Sequence, residues 1–170
     1  MNPTQTGASI VYRRPEVSDA GAVWRLVRDD GRLDANSAYC YMLLFRCFAD
    51  TCLVAERDGR LLGFVTAFEP PSEAGTLFVW QIAVAPDARG GGIGSALLRR
   101  LLELPAGRGA LRLEATVSGS NAASRRLFEA LARERGAPCE TVEGGGFPAE
   151  SFPEPGHEAE PLIRIRLADR

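Results

Sequence analysis

The sequence predicts a single α/β domain, a mixed central sheet flanked by helices. Two observations carry that prediction. Strand-like and helix-like segments follow one another in the order β-α-α-β-β-β-α-β-α-β-β. In the middle, a nearly all-apolar strand, TLFVWQIAV (76–84), runs through a glycine-rich turn into a helix and then a further strand, LRLEATV (111–117). A strand that apolar is expected where both faces of a sheet are covered. The 170 residues suffice for one core and fall short of two.

Each element has a local reason. SIVYRR (9–14) reads as a strand, after a polar residue 1–8 segment expected to be disordered. Ser18 or Asp19 can cap a helix whose apolar positions Ala20, Val23, Trp24 and Val27 fall at helical spacing. DDGR (29–32) breaks it, and a second helix is predicted from Ser37 to about Ala49. TCLVAE and RLLGFVTAF form a hairpin around Asp58-Gly59, a pair suited to a tight turn. IGSALLRRLLEL forms a helix that PAGRGA ends. SGSNAASRRLFEALARERG forms another, stopping at Gly136 just before Pro138. A short strand near Cys139–Val142 and a last one at Leu162–Leu167 frame residues 143–161, rich in Gly, Pro and Glu and expected to be irregular. The domain is thus predicted to span 9–168.

Composition excludes several functions. Net charge is −2 with no basic block, which argues against nucleic-acid binding. No apolar run reaches the roughly 18 residues of a membrane span, and the N-terminus has no apolar core of a secretory signal. A cytoplasmic location is the expectation. All 20 Lys+Arg residues are Arg, which rules out a P-loop lysine, a lysine Schiff base and a Ser–Lys nucleophile pair. Cys40, Cys47, Cys52 and Cys139 form no CxxC pair, and the lone His157 is in no zinc spacing, so the cysteines are expected to be small buried thiols.

The glycine turn carries the chemistry. ARGGGIGSALL (88–98) sets Arg89, Gly90, Gly91, Gly92 and Gly94 between a buried strand and a helix. Successive glycines let backbone N–H groups approach a phosphate, the helix N-terminus favours negative charge, and Arg89 adds a cation. GxxxxGK[ST] is absent. A dinucleotide loop needs GxGxxG or GxGxxA, but counting from Gly90 the third position is Ser95; Glu114 does sit about where a ribose-binding acid belongs, yet the loop follows at least three strands.

QIAVAPDARGGGIGSALL (81–98) and the helix NAASRRLFEALA (121–132) together resemble the acyl-CoA motifs of the GCN5-related N-acetyltransferases. The resemblance implies that fold, with acetyl-CoA bound without a metal. Amides across Arg89–Ser95 would hold its pyrophosphate, the strand end Ile82-Ala83-Val84 would pair with its pantetheine, and Asn121 and Ser124 would contact the pantetheine arm. Phe128 would also belong to that cofactor-binding set, but departs from the family there: where a tyrosine commonly protonates the leaving thiolate, this chain has a phenylalanine, which cannot donate a proton.

Acetyl transfer to an amine, whose alkyl pKa is about 10, needs a base, an oxyanion site and a proton for the leaving group. Glu114 is mid-strand, on the face with Arg112 and Thr116; it serves either the site or an ion pair with Arg112 or another arginine. Trp80 is either core or a wall packing an aliphatic amine. Asn36 or Ser37 caps the second helix better than Asp34, which leaves Asp34 as an ammonium anchor. Tyr39 and Tyr41 lie about 200° apart on that helix, so one can face the cleft and replace the donor missing at Phe128. His157 follows two Phe-Pro pairs that can fasten the tail across the cleft.

In finer detail LDANSAYCYMLL, FADTCLVAE, TLFVWQIAVAP, LEATVSGSNAASRRLF and GGGFPAESFP, then HE, resemble the diaminobutyrate acetyltransferases of ectoine biosynthesis, over roughly residues 10–167. That resemblance implies acetylation of the γ-amine of L-2,4-diaminobutyrate in a cytoplasmic homodimer. In a direct transfer, Glu114 would act as base, through water or not. A different amine acceptor, or a silent CoA-binding sensor, are the rival expectations.

Overall fold

The computed structural model describes residues 9–167; the expectation for residues 1–8 lies outside them. The strands are β1 (Val11–Arg13), β2 (Leu53–Arg57), β3 (Arg60–Phe68), β4 (Thr76–Val84), β5 (Arg112–Thr116), β6 (Cys139–Phe147) and β7 (Glu160–Arg166). The helices are α1 (Ala20–Asp30), α2 (Ala38–Cys47), α3 (Ile93–Leu101), α4 (Pro105–Gly109) and α5 (Ala122–Arg135). One seven-stranded sheet runs in the order β1-β2-β3-β4-β5-β7-β6. Only β4 and β5 pair in parallel; every other pair is antiparallel. The sheet is therefore mixed, as predicted.

Local chemistry explains the boundaries. Ser37 caps α2, its Oγ accepting from the Cys40 amide at 3.4 Å. Asp19 stands at the start of α1 but bonds backward to the Glu16 amide and to Arg13, which holds its carboxyl below the usual carboxylate range. Asp58 and Gly59 both have positive φ, 54° and 73°, as a two-residue hairpin turn requires. PAGRG, expected only to end α3, makes the short helix α4.

Two cores cover the sheet. Val23, Val27, Tyr41 and Phe45 of α1 and α2 pack with Val54 and Phe64. Leu97, Leu98 and Leu101 of α3 and Phe128 and Leu131 of α5 pack with Leu77, Leu113, Ile163 and Ile165. Burial of these side chains, each contributing about 1.5–3 kcal/mol, holds β4 and β5 rigidly at one end.

Two details depart from expectation. The strand expected to stop near Val142 continues to Phe147: after a register shift, Gly146 and Phe147 pair with Pro161 and Glu160. Gly146 has φ 88°, and a Cβ there would collide with the Glu160 carbonyl. Part of the 143–161 segment is thus strand. The cysteines are all free, but only Cys52 is fully buried, its thiol pushed up to about 11 by desolvation; Cys47, at the end of α2, is exposed. Among the described residues no helix is long and apolar enough to cross a membrane.

What positions a site is the parting of β4 from β5. They pair only where Thr76–Phe78 meet Arg112–Glu114. Beyond that, β4 stays with β3 and β5 stays with β7. A bulge reinforces the split: Thr66 pairs with Gln81 and Ala67 with Val79, leaving Trp80 as the extra residue on β4. After it Ile82 and Val84 pack on the α3/α5 side, while Trp80 and Ala83 pack on the α1/α2 side.

Candidate active site

Two cavities open where the strands part. The first, of about 370 Å³, is walled by Ile82, Ala83 and Val84, by the glycine turn, and by Asn121 and Ser124 at the start of α5. Gly90 and Gly92 have φ of 80° and 75°, and Gly92 is the N-cap of α3. The turn therefore presents backbone at a helix N-terminus with no Cβ in the way. Gly94 and Ser95 complete that wall; Gly91 lies between lining residues without lining the cavity itself. Asn121 Oδ1 accepts from the Ser124 amide at 3.1 Å, which fixes both residues at the α5 start. Arg89 Nε donates to the Val84 carbonyl at 3.1 Å and its Nη2 meets Asp30 Oδ1 at 2.5 Å, so the guanidinium is held at the rim. This cavity can take a long ligand with a pyrophosphate at the turn and an amide-bearing arm along the unpaired edge of β4.

Phe128 does not join it. Leu127 forms that wall, and Phe128, about 100° further round α5, is 2% exposed in the α3/α5 core. Its place as a cofactor contact is corrected to a packing role.

The second cavity, of about 690 Å³, shares Arg32, Leu33 and Asn121 with the first. The two spaces therefore adjoin. Asp34, Trp80, Thr116 and His157 all line the second one. The His157 ring stacks on Phe152 at 3.7 Å, and Phe152 meets Phe147 edge-on, so the aromatic contacts join the tail to itself, while Glu158, Glu160 and His157 reach Ser120, Thr116 and Asp34 across the cleft. His157 Nε2 lies 3.5 Å from Asp34 Oδ2. The ring's pKa is raised from its ordinary value of 6.5, first by the hydrogen bond to the Glu158 carbonyl and then by Asp34 and the charge of Glu160, against some desolvation.

Three expected catalytic groups lie elsewhere. Glu114 lines neither cavity. It is 3% exposed, and its Oε1 accepts from Arg164 Nε at 2.5 Å, with Arg112 Nε at 3.8 Å. The cross-strand register Glu114↔Arg164 makes this pair, the ion-pair alternative left open by the sequence. A base must reach the proton it abstracts, and this carboxylate is turned to arginines. Tyr39 is 65% exposed on the outer side of α2. Tyr41 is the inward tyrosine, but its hydroxyl donates to Gln81 Oε1 at 2.7 Å, and burial pushes its pKa up to about 12. Its ring packs on Trp80, centroids 5.9 Å apart, so it supports the cleft wall from behind. Gln81 Nε2 in turn donates to the Asp34 carbonyl, tying that loop to β4.

Sequence reasoning missed Glu160, Glu158 and Arg32, all in the cleft wall. Thr116 Oγ1 donates to Glu160 Oε2 at 2.7 Å. Atoms of Asp34, His157 and Glu160 lie within 4.8 Å of one another, a spacing that suits an ammonium group. Glu158 Oε2 accepts from the Ser120 amide at 2.9 Å, next to Asn121. The one signal for the two acids was HEAE itself, alternate acids after the sole histidine, in a tail whose polarity made them look like solvated charge.

Residues 22–132 match the acetyltransferase (GNAT) family. The chain is 43% identical over 157 residues to the L-2,4-diaminobutyric acid acetyltransferase of Nocardia farcinica, covering 91% of this chain and 81% of that protein. To the protein of that name from Streptomyces coelicolor it is 42% identical over 165 residues, 95% of each. Its structure resembles that of the diaminobutyrate acetyltransferase EctA from Paenibacillus lautus, solved in complex with its substrate L-2,4-diaminobutyric acid and coenzyme A. The TM-score is 0.89 at 49% identity, covering 94% of this chain and 96% of that one. Likeness of this extent reaches past the shared sheet, and the chain belongs to the acetyltransferase (GNAT) family, among the diaminobutyrate acetyltransferases.

Proposed function

We propose that this chain transfers acetyl from acetyl-CoA to the γ-amine of L-2,4-diaminobutyrate in a ternary complex, giving N-γ-acetyl-diaminobutyrate for ectoine synthesis. The observation that carries this is that two chemically different cavities adjoin, one built from a glycine turn and a bare strand edge, the other from acids and an imidazole. Likeness to the Paenibacillus lautus enzyme supports the same pairing of ligands. Acetyl-CoA enters along β4, its pyrophosphate on the amides between Arg89 and Ser95. An amide near Ile82–Val84 polarises the thioester carbonyl.

The acceptor fits the second cavity by charge. Its ammonium groups suit Asp34 and Glu160, and Arg32 is the one guanidinium in that lining for its carboxylate. Trp80 walls the short carbon chain. Thr116 acts on the substrate through Glu160. Asn36 and Gln81 keep the loop that bears Asp34 in place.

A homodimer is part of the proposal, supported by the apolar outer side of α2, where Tyr39, Met42, Leu43 and the adjoining Phe48 stand exposed. A cytoplasmic location is supported by the four free thiols. The deciding experiment is CoA release with diaminobutyrate against a panel of polyamines and amino sugars, with mass spectrometry to place the acetyl on the α or γ nitrogen. Faster turnover of another amine, or an α-acetyl product, overturns the acceptor; acetyl-CoA binding without CoA release from any amine indicates a sensor.

A further inference from the structure

We infer that His157 is the general base that takes the proton from the acceptor amine, with Asp34 beside the accepting nitrogen to stabilise the imidazolium; this rests on the acceptor reading above. With Glu114 turned to Arg164, no base is assigned, and the geometry around the ring supplies one. His157 Nδ1 is 2.7 Å from the Glu158 carbonyl oxygen. A carbonyl only accepts, so Nδ1 must carry a hydrogen. In the neutral ring the lone pair is then on Nε2, the nitrogen that faces Asp34 Oδ2 at 3.5 Å, and a Glu160 carboxylate oxygen lies within 4.8 Å of a ring nitrogen. Stacking on Phe152 fixes the ring plane. The tautomer and the direction of the lone pair are thus set before any ligand arrives.

The pair also stands at the junction of the cavities. Asp34 adjoins Leu33, and Glu158 is bonded to the Ser120 amide beside Asn121; Leu33 and Asn121 line both spaces. An amine meeting the thioester there comes directly, or through one water, within reach of Nε2. The γ-ammonium gives one proton to Nε2, and the neutral nitrogen attacks the thioester carbon. The C–N bond forms, the C–S bond breaks with its electron pair kept on sulfur, and a second proton from nitrogen ends on that sulfur. His157 passes its proton to solvent. No tyrosine is needed at position 128.

The groups beside the ring are Asp34 from the α1–α2 loop, Glu160 from β7 and Glu158 through its carbonyl, and Arg32 is the cation that lines the same cleft. The acids outnumber the single cation, consistent with the raised pKa of the ring. The base must be neutral to act, so kcat/KM should climb with pH through a value above 6.5. His157→Gln should lower kcat about 10²-fold or more and erase that limb, with coenzyme A affinity unchanged as evidence of a folded protein. Asp34→Asn should move the limb to lower pH. His157 is the only histidine, so the imidazole nitrogen spectrum of the untagged chain reports this ring alone; above its pKa it should show the Nδ1-protonated tautomer. A His157→Gln enzyme that keeps its limb and kcat while KM for diaminobutyrate rises overturns the base and leaves the acceptor standing, as does an Nε2-protonated ring. A wild-type enzyme silent toward diaminobutyrate overturns both.

Discussion

Replacing Arg164 by alanine removes the guanidinium 2.5 Å from Glu114 Oε1 and strands a carboxylate that is 3% exposed. Breaking a buried pair from one side costs about 3–5 kcal/mol, because the remaining charge keeps its desolvation penalty and loses its partner. Two features set this case at the lower end. Arg164 is itself 24% exposed, and Arg112 stays 3.8 Å from the same oxygen. About 3 kcal/mol is the expectation, and at about 2–4 °C per kcal/mol for a chain of this size the melting temperature should fall by about 6–12 °C. Glu114→Ala should cost less, since the arginine left behind can turn to water. Glu114→Ala/Arg164→Ala should melt above Arg164→Ala, a sign of coupling that a double-mutant cycle reads directly. Calorimetry supplies the melting points and a thiol-release assay supplies kcat. With Glu114 structural, Glu114→Gln should lose far less than the roughly 10²-fold that loss of a general base costs. An Arg164→Ala protein that melts with the wild type would refute the ion-pair reasoning. So would a Glu114→Gln enzyme that melts normally but has lost kcat a hundredfold.

Three further outcomes are expected. Phe128→Tyr buries a hydroxyl among the apolar side chains of the α3/α5 core and should destabilise by about 1–3 kcal/mol without raising kcat; a faster enzyme would mean the ring reaches the leaving sulfur. Tyr41→Phe leaves buried Gln81 without its 2.7 Å donor, at about 1–3 kcal/mol, while kcat persists; normal melting with kcat lost would return Tyr41 to the role of proton donor. Arg89→Ala should raise KM for acetyl-CoA about tenfold or more, since hydrogen bonds to charged groups are worth about 1.5–3 kcal/mol, and leave KM for the acceptor steady; equal rises in both would count against a phosphate contact.

Most of the sheet was legible because its signals are local. Apolar runs named the strands, Asp58-Gly59 named a turn, and the glycine stretch named a helix start with a ligand-facing backbone. The same locality hid the rest. Period-two alternation cannot register one extra residue, so the bulge at Trp80, which turns that ring and Gln81 toward Tyr41, left no trace. Glu114 and Arg164 are fifty residues apart in sequence, and only the placement of β7 beside β5 makes them neighbours. Three glycines at 144–146 looked like spacer, yet the positive φ of Gly144 and Gly146 lets the chain bend sharply and still regain its partner strand. Asp34 and His157 were legible singly, as an acid with no capping duty and a histidine with no reason to be in a tail. Their closeness was not.

The interior place of β7 bears on how the molecule is made. It is synthesised after every other strand of the sheet, yet it inserts between β5 and β6. While the ribosome still holds residues 160–166, the emerged chain can assemble the β1–β4 hairpins, the glycine turn and α3, but β5 shows an open edge and Glu114 has no Arg164. Acceptor-side residues 157, 158 and 160 arrive in the same final stretch. A nascent chain should therefore gain its grip on coenzyme A before it can discriminate amines. A chain cut before Glu160 should aggregate through the open edges of β5 and β6 rather than persist as a weakened enzyme.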